Sequence, residues 1–77
     1  MQINLRAFGP LTDIIKTNVV TLSEDADTDN LVAELKGLYP ALAEKKFMIA
    51  VDKKTISGNT NLQQDSTVAL LPPFSGG

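Results

Sequence analysis

The sequence predicts an α+β fold in which a mixed sheet of four to five strands packs on one main helix. Two patterns lead to this prediction: several short segments alternate apolar and polar residues, and one segment repeats leucines at helical spacing. The chain has 77 residues, which suits one domain with a small core. At this length, one helix on one face of one sheet is the economical two-layer arrangement.

The strands are predicted from alternation and from β-branched side chains. We expect them over residues 1–8, 18–22, 47–51, 55–57 and 67–71, the fourth being short and at an edge. In the first strand, Ile3, Leu5 and Ala7 share one face, as in a half-buried strand. Gly9-Pro10 ends that strand, and a short helical turn through Ile15 is expected to follow.

The helix is predicted to begin at Thr28, whose hydroxyl would cap the first free backbone N–H groups, and to end before Pro40. Leu31, Leu35 and Leu38 are spaced four and three residues apart, so they form one apolar stripe. Such a stripe packs in a core far more often than it binds a cofactor. We therefore expect all three leucines to face the sheet.

Composition limits the chemistry that the chain can perform. There is no Cys and no His, which removes a thiol nucleophile, an imidazole base and the usual transition-metal ligands, so no metal site is expected. Seven basic residues are scattered among nine acidic ones, so nucleic acid is not an expected partner. No apolar run approaches membrane-spanning length, and the chain opens directly into a strand without a signal peptide. We expect a cytoplasmic protein without a membrane partner.

The end of the chain is the candidate functional segment. We expect a folded domain over residues 1–71 and an extended tail over residues 72–77. Pro72 and Pro73 have no N–H group, so sheet pairing must stop there. Two glycines then end the chain, and an end without side chains can enter a narrow channel. If another protein adenylates the carboxylate of Gly77, the activated C-terminus becomes an acyl donor. Gly-Gly alone would also fit a frayed end, but this tail directly follows a core strand.

The alternation also predicts an apolar patch on the sheet face turned away from the helix. Val68 and Leu70 must face the helix to fill the core, so Ala69 and Leu71 face outward. An outward apolar patch beside a reactive end is typical of a protein interface. Other residues that face outward are Phe8, Met48 and Ala50. The predicted partner interface comprises Phe8, Met48, Ala69, Leu71 and Phe74.

Residues 70–77 read Leu-Leu-Pro-Pro-Phe-Ser-Gly-Gly. This segment closely resembles the end of the molybdopterin-synthase small subunits, and the resemblance covers essentially the whole chain. The resemblance also includes Phe8-Gly9, residues 38–42, Ala50-Val51 and the turn at Asp65. The double proline before the double glycine is its most specific part, since the thiamine-pathway sulfur carrier and ubiquitin-like modifiers usually share only the Gly-Gly end. The chain departs from the pattern at Asp52, where Asn is common, and at residues 64–66, where Asp-Gly-Asp is common.

The resemblance implies a ubiquitin-like β-grasp fold and a sulfur-donating subunit of a sulfurtransferase, without catalytic side chains of its own. It implies that an adenylating enzyme akin to the ubiquitin-activating enzymes uses ATP and Mg²⁺ to activate Gly77, and that a sulfur donor then converts Gly77 to a thiocarboxylate. The tail would enter a channel of the large synthase subunit and give its sulfur to a pterin precursor in molybdenum cofactor biosynthesis. The residues expected in that channel are Pro72, Pro73, Phe74, Ser75 and Gly76. The chain itself would bind no cofactor.

Three alternatives stay open at this point. The first is a sulfur carrier for thiamine thiazole synthesis. The second is a ubiquitin-like protein modifier joined through Gly77 to a lysine of its target. The third is a plain interaction domain whose tail is inert.

Overall fold

A computed structural model describes residues 1–73, so the predictions for Phe74, Ser75, Gly76 and Gly77 lie outside the described residues. The strands are β1 (Gln2–Ala7), β2 (Val19–Thr21), β3 (Met48–Val51), β4 (Lys54–Ile56) and β5 (Thr67–Leu71). The helix α1 spans Thr28–Leu38, and two short 3-10 helices span Gly9–Asp13 and Pro40–Glu44.

The five strands form one mixed sheet in the order β2-β1-β5-β3-β4. β1 and β5 are parallel, whereas β2 with β1, β3 with β5, and β3 with β4 are antiparallel. The last strand of the chain therefore lies at the centre of the sheet, between β1 and β3. One main helix with a five-stranded mixed sheet confirms the predicted α+β class.

The core lies between α1 and one face of the sheet. Ile3, Leu31, Leu35, Val68 and Leu70 are all fully buried and belong to one apolar cluster. The helix contributes two of them and the strands contribute three, as the sequence patterns predict. The face of the sheet opposite α1 is called the open face below.

The prediction that Leu38 belongs to the buried apolar stripe of the helix was wrong. It is 55% exposed, whereas Leu31 and Leu35 are fully buried. Leu42, from the second 3-10 helix, is fully buried in the core cluster instead, and that short helix packs against α1. The stripe therefore ends one turn earlier than helical spacing alone predicts, because a later segment fills the core at this end.

The predicted cap of the helix was wrong by one residue. The carboxylate of Asp27 accepts a hydrogen bond from the backbone N–H of Asn30 at 2.9 Å, and the Asn30 side chain accepts one from the backbone N–H of Asp27 at 3.0 Å. This is a capping box. Thr28 is buried as the first helical residue, and its hydroxyl accepts a hydrogen bond from the backbone N–H of Thr60 at 2.9 Å.

Helix α1 has 11 residues. Within residues 1–73, no helix is both long enough and apolar enough to span a membrane.

Candidate functional site

The tail begins at the end of the central strand. β5 ends at Leu71, as predicted, and Pro72 and Pro73 lie outside the strand. The backbone N–H of Phe8 donates to the carbonyl oxygen of Leu70 at 3.1 Å, so the end of β1 is held beside the end of β5. The tail therefore starts beside the end of β1.

Gly9 lies against the start of the tail. Its φ angle is +58°, in the left-handed region that favours glycine, and a Cβ atom at this position would lie 3.2 Å from Cγ of Pro72. Both the backbone conformation and the tight contact with Pro72 therefore favour glycine at this position. The sequence indicated Gly9 as a strand breaker and as part of the family resemblance. It could not indicate the contact with Pro72, because that contact joins residues more than sixty positions apart.

The strand register brings the predicted outward residues onto the open face. Met48 is paired with Leu71, and Ala50 is paired with Ala69 across β3 and β5. Paired residues of neighbouring strands project to the same side of a sheet, and the alternate residues of β5 fill the core on the other side. The structure thus places Met48, Ala50, Ala69 and Leu71 on one face, while their role as an interface stays a prediction.

Accessibility differs among these apolar residues. Phe8 is 43% exposed and Ala50 only 7%, whereas Met48, Ala69 and Leu71 are half-buried. Ala50 is shielded because it lies between its pairing partners in β4 and β5. Phe8 therefore offers the largest apolar group of the open face, and Ala50 offers little area for contact.

A shallow cavity of about 570 Å³ adjoins this apolar patch. Its lining residues are Arg6, Phe8, Asp52, Lys53, Thr67 and Ala69. The carboxylate of Asp52 accepts a hydrogen bond from the backbone N–H of Thr67 at 2.9 Å, and the backbone N–H of Asp52 donates to the Thr67 carbonyl oxygen at 2.8 Å. The turn after β3 is thereby tied to the start of β5. No pattern in the sequence indicated a role for Arg6 or Lys53.

The described part of the site is an apolar and charged surface, and the predicted reactive end lies outside the described residues. Among residues 1–73, no group of three or more carboxylates lies close enough together to hold a metal ion. The lining of the open-face cavity likewise contains two cations, one hydrogen-bonded carboxylate and an aromatic ring.

Residues 5–77 match the family model of the ThiS family. The chain belongs to the ThiS family. This match covers nearly the whole chain and confirms the predicted resemblance to the ubiquitin-like sulfur carriers, so the chain is a sulfur carrier of this type.

Three solved structures are similar to the ThiS-family chain. A proposed molybdopterin converting factor, subunit 1, from Pyrococcus furiosus has a TM-score of 0.86 and 19% identity, and the match covers 95% of this chain and 98% of that one. SAMP1 from Haloferax volcanii has a TM-score of 0.81 and 19% identity over 100% of both chains. These two likenesses confirm the β-grasp fold.

The third similar structure is a chain in the protein-protein complex of subunits 1 and 2 of molybdopterin-converting factor from Helicobacter pylori 26695. It is 31% identical to the ThiS-family chain, with a TM-score of 0.66, and the match covers 100% of both chains. At this identity and coverage, the likeness extends from the fold to the family.

Proposed function

We propose that this chain is the small, sulfur-carrying subunit of a molybdopterin synthase, and that Gly77 carries the sulfur as a thiocarboxylate. The observation that supports the proposal most strongly is the full-length match, at 31% identity, to a chain in the complex of subunits 1 and 2 of molybdopterin-converting factor. That complex favours the large synthase subunit as the partner of this chain.

The position at which the tail starts supports this role. Residues 1–71 would form the folded domain and residues 72–77 the arm that enters the large subunit. Pro72 lies against Gly9 at the end of the central strand, and proline fixes one of the two soft backbone angles. An arm that starts from a fixed base loses less conformational freedom when it enters a channel. Gly76 and Gly77, without side chains, suit the narrow end of such a channel.

The apolar patch beside the tail would contact the large subunit. The proposed contact residues are Phe8, Met48, Ala69, Leu71 and Phe74. Phe8 is the most exposed of those that the structure describes, and large apolar anchors often supply a disproportionate share of the binding free energy. Because the patch surrounds the end of β5, docking there would direct the tail into the partner.

The chemistry that we propose needs only the terminal carboxylate from this chain. An adenylating enzyme akin to the ubiquitin-activating enzymes would join the Gly77 carboxylate to AMP, with ATP as co-substrate, Mg²⁺ in its own site and pyrophosphate as the leaving group. A sulfur donor would then displace AMP and leave the thiocarboxylate, whose sulfur passes to the pterin precursor on the large subunit. This chain would bind neither ATP nor the metal. Because activation consumes ATP, we propose that this chain acts in the cytoplasm.

A second candidate function is sulfur donation in thiamine thiazole synthesis. The match to the ThiS family over residues 5–77 favours it as directly as it favours the molybdopterin pathway. Both functions use the same activated carboxylate, so the acceptor is what separates them.

Reconstitution with each acceptor tests the proposal. Thiocarboxylated protein is mixed with a molybdopterin-synthase large subunit and the pterin precursor, and formation of the dithiolene product is followed. We expect product from the thiocarboxylate and none from the same chain with an ordinary Gly77 carboxylate. Turnover only in a thiazole-forming assay would assign the chain to the second function, and lysine adducts in a cell extract without either product would identify a protein modifier.

A further inference from the structure

Positive charge is concentrated on one side of the open face. Among the strand residues that the structure describes, Arg6 is the one charged residue that projects to this face, since its register partner is Ala69. Lys53 lies in the turn between β3 and β4 and lines the same cavity as Arg6. Both side chains are exposed, so both are accessible to a docking protein.

The one carboxylate in the lining of this cavity already has a partner. Asp52 accepts a hydrogen bond from the backbone N–H of Thr67 at 2.9 Å, which holds it against the start of β5. Asp52 and Lys53 have φ angles of +49° and +75°, as in the tight turns that join two antiparallel strands. The turn therefore presents Lys53 in a defined place, and the cavity has two cations for one hydrogen-bonded anion.

The cavity is continuous with the apolar patch. Phe8 and Ala69 belong to both, so a segment that covers the patch must also pass the two cations. An arginine binds a carboxylate through two parallel hydrogen bonds, and a lysine adds a mobile positive charge. The chemistry that complements this cavity is thus an acidic side chain on a partner that also contacts the apolar patch.

We propose that the protein that receives the tail places an acidic side chain between Arg6 and Lys53. The identification of that protein as the large synthase subunit rests on the function proposed above. Charge pairs at the rim of an interface mainly accelerate association and select the partner. The cations would orient the large subunit on the open face before the tail enters it.

Charge reversal with a matched control tests the proposal. Lys53→Glu and Arg6→Glu are compared with Lys36→Glu, which changes an exposed residue of α1 rather than of the open face. We expect association with the large subunit at low salt to become about tenfold slower for the first two variants. Lys36→Glu should stay within about twofold of the unchanged chain, and high salt should reduce the difference because it screens exposed charges. Thermal midpoints show whether each variant is folded.

A carbodiimide cross-link identifies the occupant. This reagent activates a carboxyl group, which a neighbouring lysine amine attacks to form an amide with loss of the urea. We expect mass spectrometry to find Lys53 joined to an Asp or Glu of the large subunit. Lys53→Arg should abolish that link while it preserves the association rate, because arginine retains the charge without the reactive amine.

Three other outcomes distinguish failure of the inference about the cavity from failure of the proposed function. If the unchanged chain binds the large subunit and the three charge reversals have equal effects, the inference about the cavity is wrong while the proposed function stands. A link from Lys53 to the chain's own C-terminal carboxyl would show that the tail occupies the cavity, which also overturns the inference. If the unchanged chain does not bind the large subunit at all, the proposed function fails, and this inference fails with it.

Discussion

At the scale of single residues, both the backbone conformation and the space beside Pro72 restrict which residue can occupy position 9. The residue needs a left-handed backbone, with φ at +58°, and it needs space for Pro72, whose Cγ atom would lie 3.2 Å from a Cβ atom. An L-residue with a side chain pays about 1–2 kcal/mol in the left-handed conformation. The same side chain would press on the start of the tail.

We therefore predict that Gly9→Ala lowers the free energy of unfolding by about 1–2 kcal/mol. Chemical denaturation measures this loss. The variant should also slow formation of the Gly77 adenylate at a temperature where it is fully folded, because Pro72 must shift. Gly58→Ala is the matched control, since a Cβ atom at Gly58 would meet nothing within 4 Å. Equal stability of the two variants would contradict the prediction.

Asp65 and Asp52 show how far single residues could be predicted from the sequence. Both depart from the family pattern, and both have positive φ angles, +67° and +49°. The family commonly has Gly at the position of Asp65 and Asn at the position of Asp52, and both residues tolerate positive φ angles well. Asp is among the other residues that adopt such angles. The departures are therefore compatible with the fold. The sequence indicated a turn at each position, but the backbone angles depend on how each turn meets the strands around it.

At the scale of elements, the start of α1 depends on a segment distant in sequence. The side-chain oxygen of Asn59 accepts hydrogen bonds from the Thr28 hydroxyl at 3.2 Å and from the Asp29 backbone N–H at 3.0 Å. The Asn59 side-chain amide donates to the Asp27 carboxylate at 2.9 Å. The helix and its apolar face were predictable from local spacing. Its cap was not, because Asn59 lies thirty residues along the chain.

The same hydrogen bonds change the titration of the cap. Donation from the Asn59 amide, followed by donation from the Asn30 backbone N–H, lowers the pKa of the Asp27 carboxyl below its ordinary value. A carboxyl whose pKa is lower in the folded chain stabilises the fold above its unfolded pKa, about 3.9. That contribution is lost as the pH falls through the folded pKa.

We predict that Asp27→Asn lowers the thermal midpoint at pH 7 and that the difference from the unchanged chain shrinks as the pH falls below about 4. The Asp27 side chain is a charged hydrogen-bond acceptor only at the higher pH, so the substitution removes a charged acceptor only at that pH. Thermal unfolding at pH 7 and at pH 2 to 3 measures both differences. Asp13→Asn, an exposed residue of the first 3-10 helix, is the control. A difference that stays constant with pH would contradict this account.

At the scale of the whole molecule, the order of the strands determines where the tail starts. Local patterns predicted the class of fold and placed every strand boundary within one residue, including the end of β5 at Leu71. They could not give the strand order, because the parallel pairing of β1 with β5 joins the two ends of the chain. Nor could they show that Arg6 and Lys53 share a cavity, since the two residues meet only after the sheet has formed.

This arrangement separates the parts that stabilise the fold from the part that we propose reacts. Among residues 1–73, the buried core cluster runs from Ile3 to Leu70. Deleting Gly77 leaves all of these described core residues in place and a free glycine carboxylate at Gly76. The chain would end about 3.3–3.6 Å shorter, with the same terminal chemistry.

We predict that the deletion of Gly77 leaves the thermal midpoint unchanged and abolishes ATP-dependent adenylation by the partner enzyme. The carboxylate must reach the activated phosphate at bonding distance, and a displacement of this size prevents attack. Pyrophosphate release measures adenylation. A chain extended by one glycine is the matched control, since it displaces the carboxylate in the other direction, and it should fail as well. A shortened chain that still forms the adenylate would show that the length of the tail does not position Gly77, and the role proposed for Pro72 as a fixed base would fall with it.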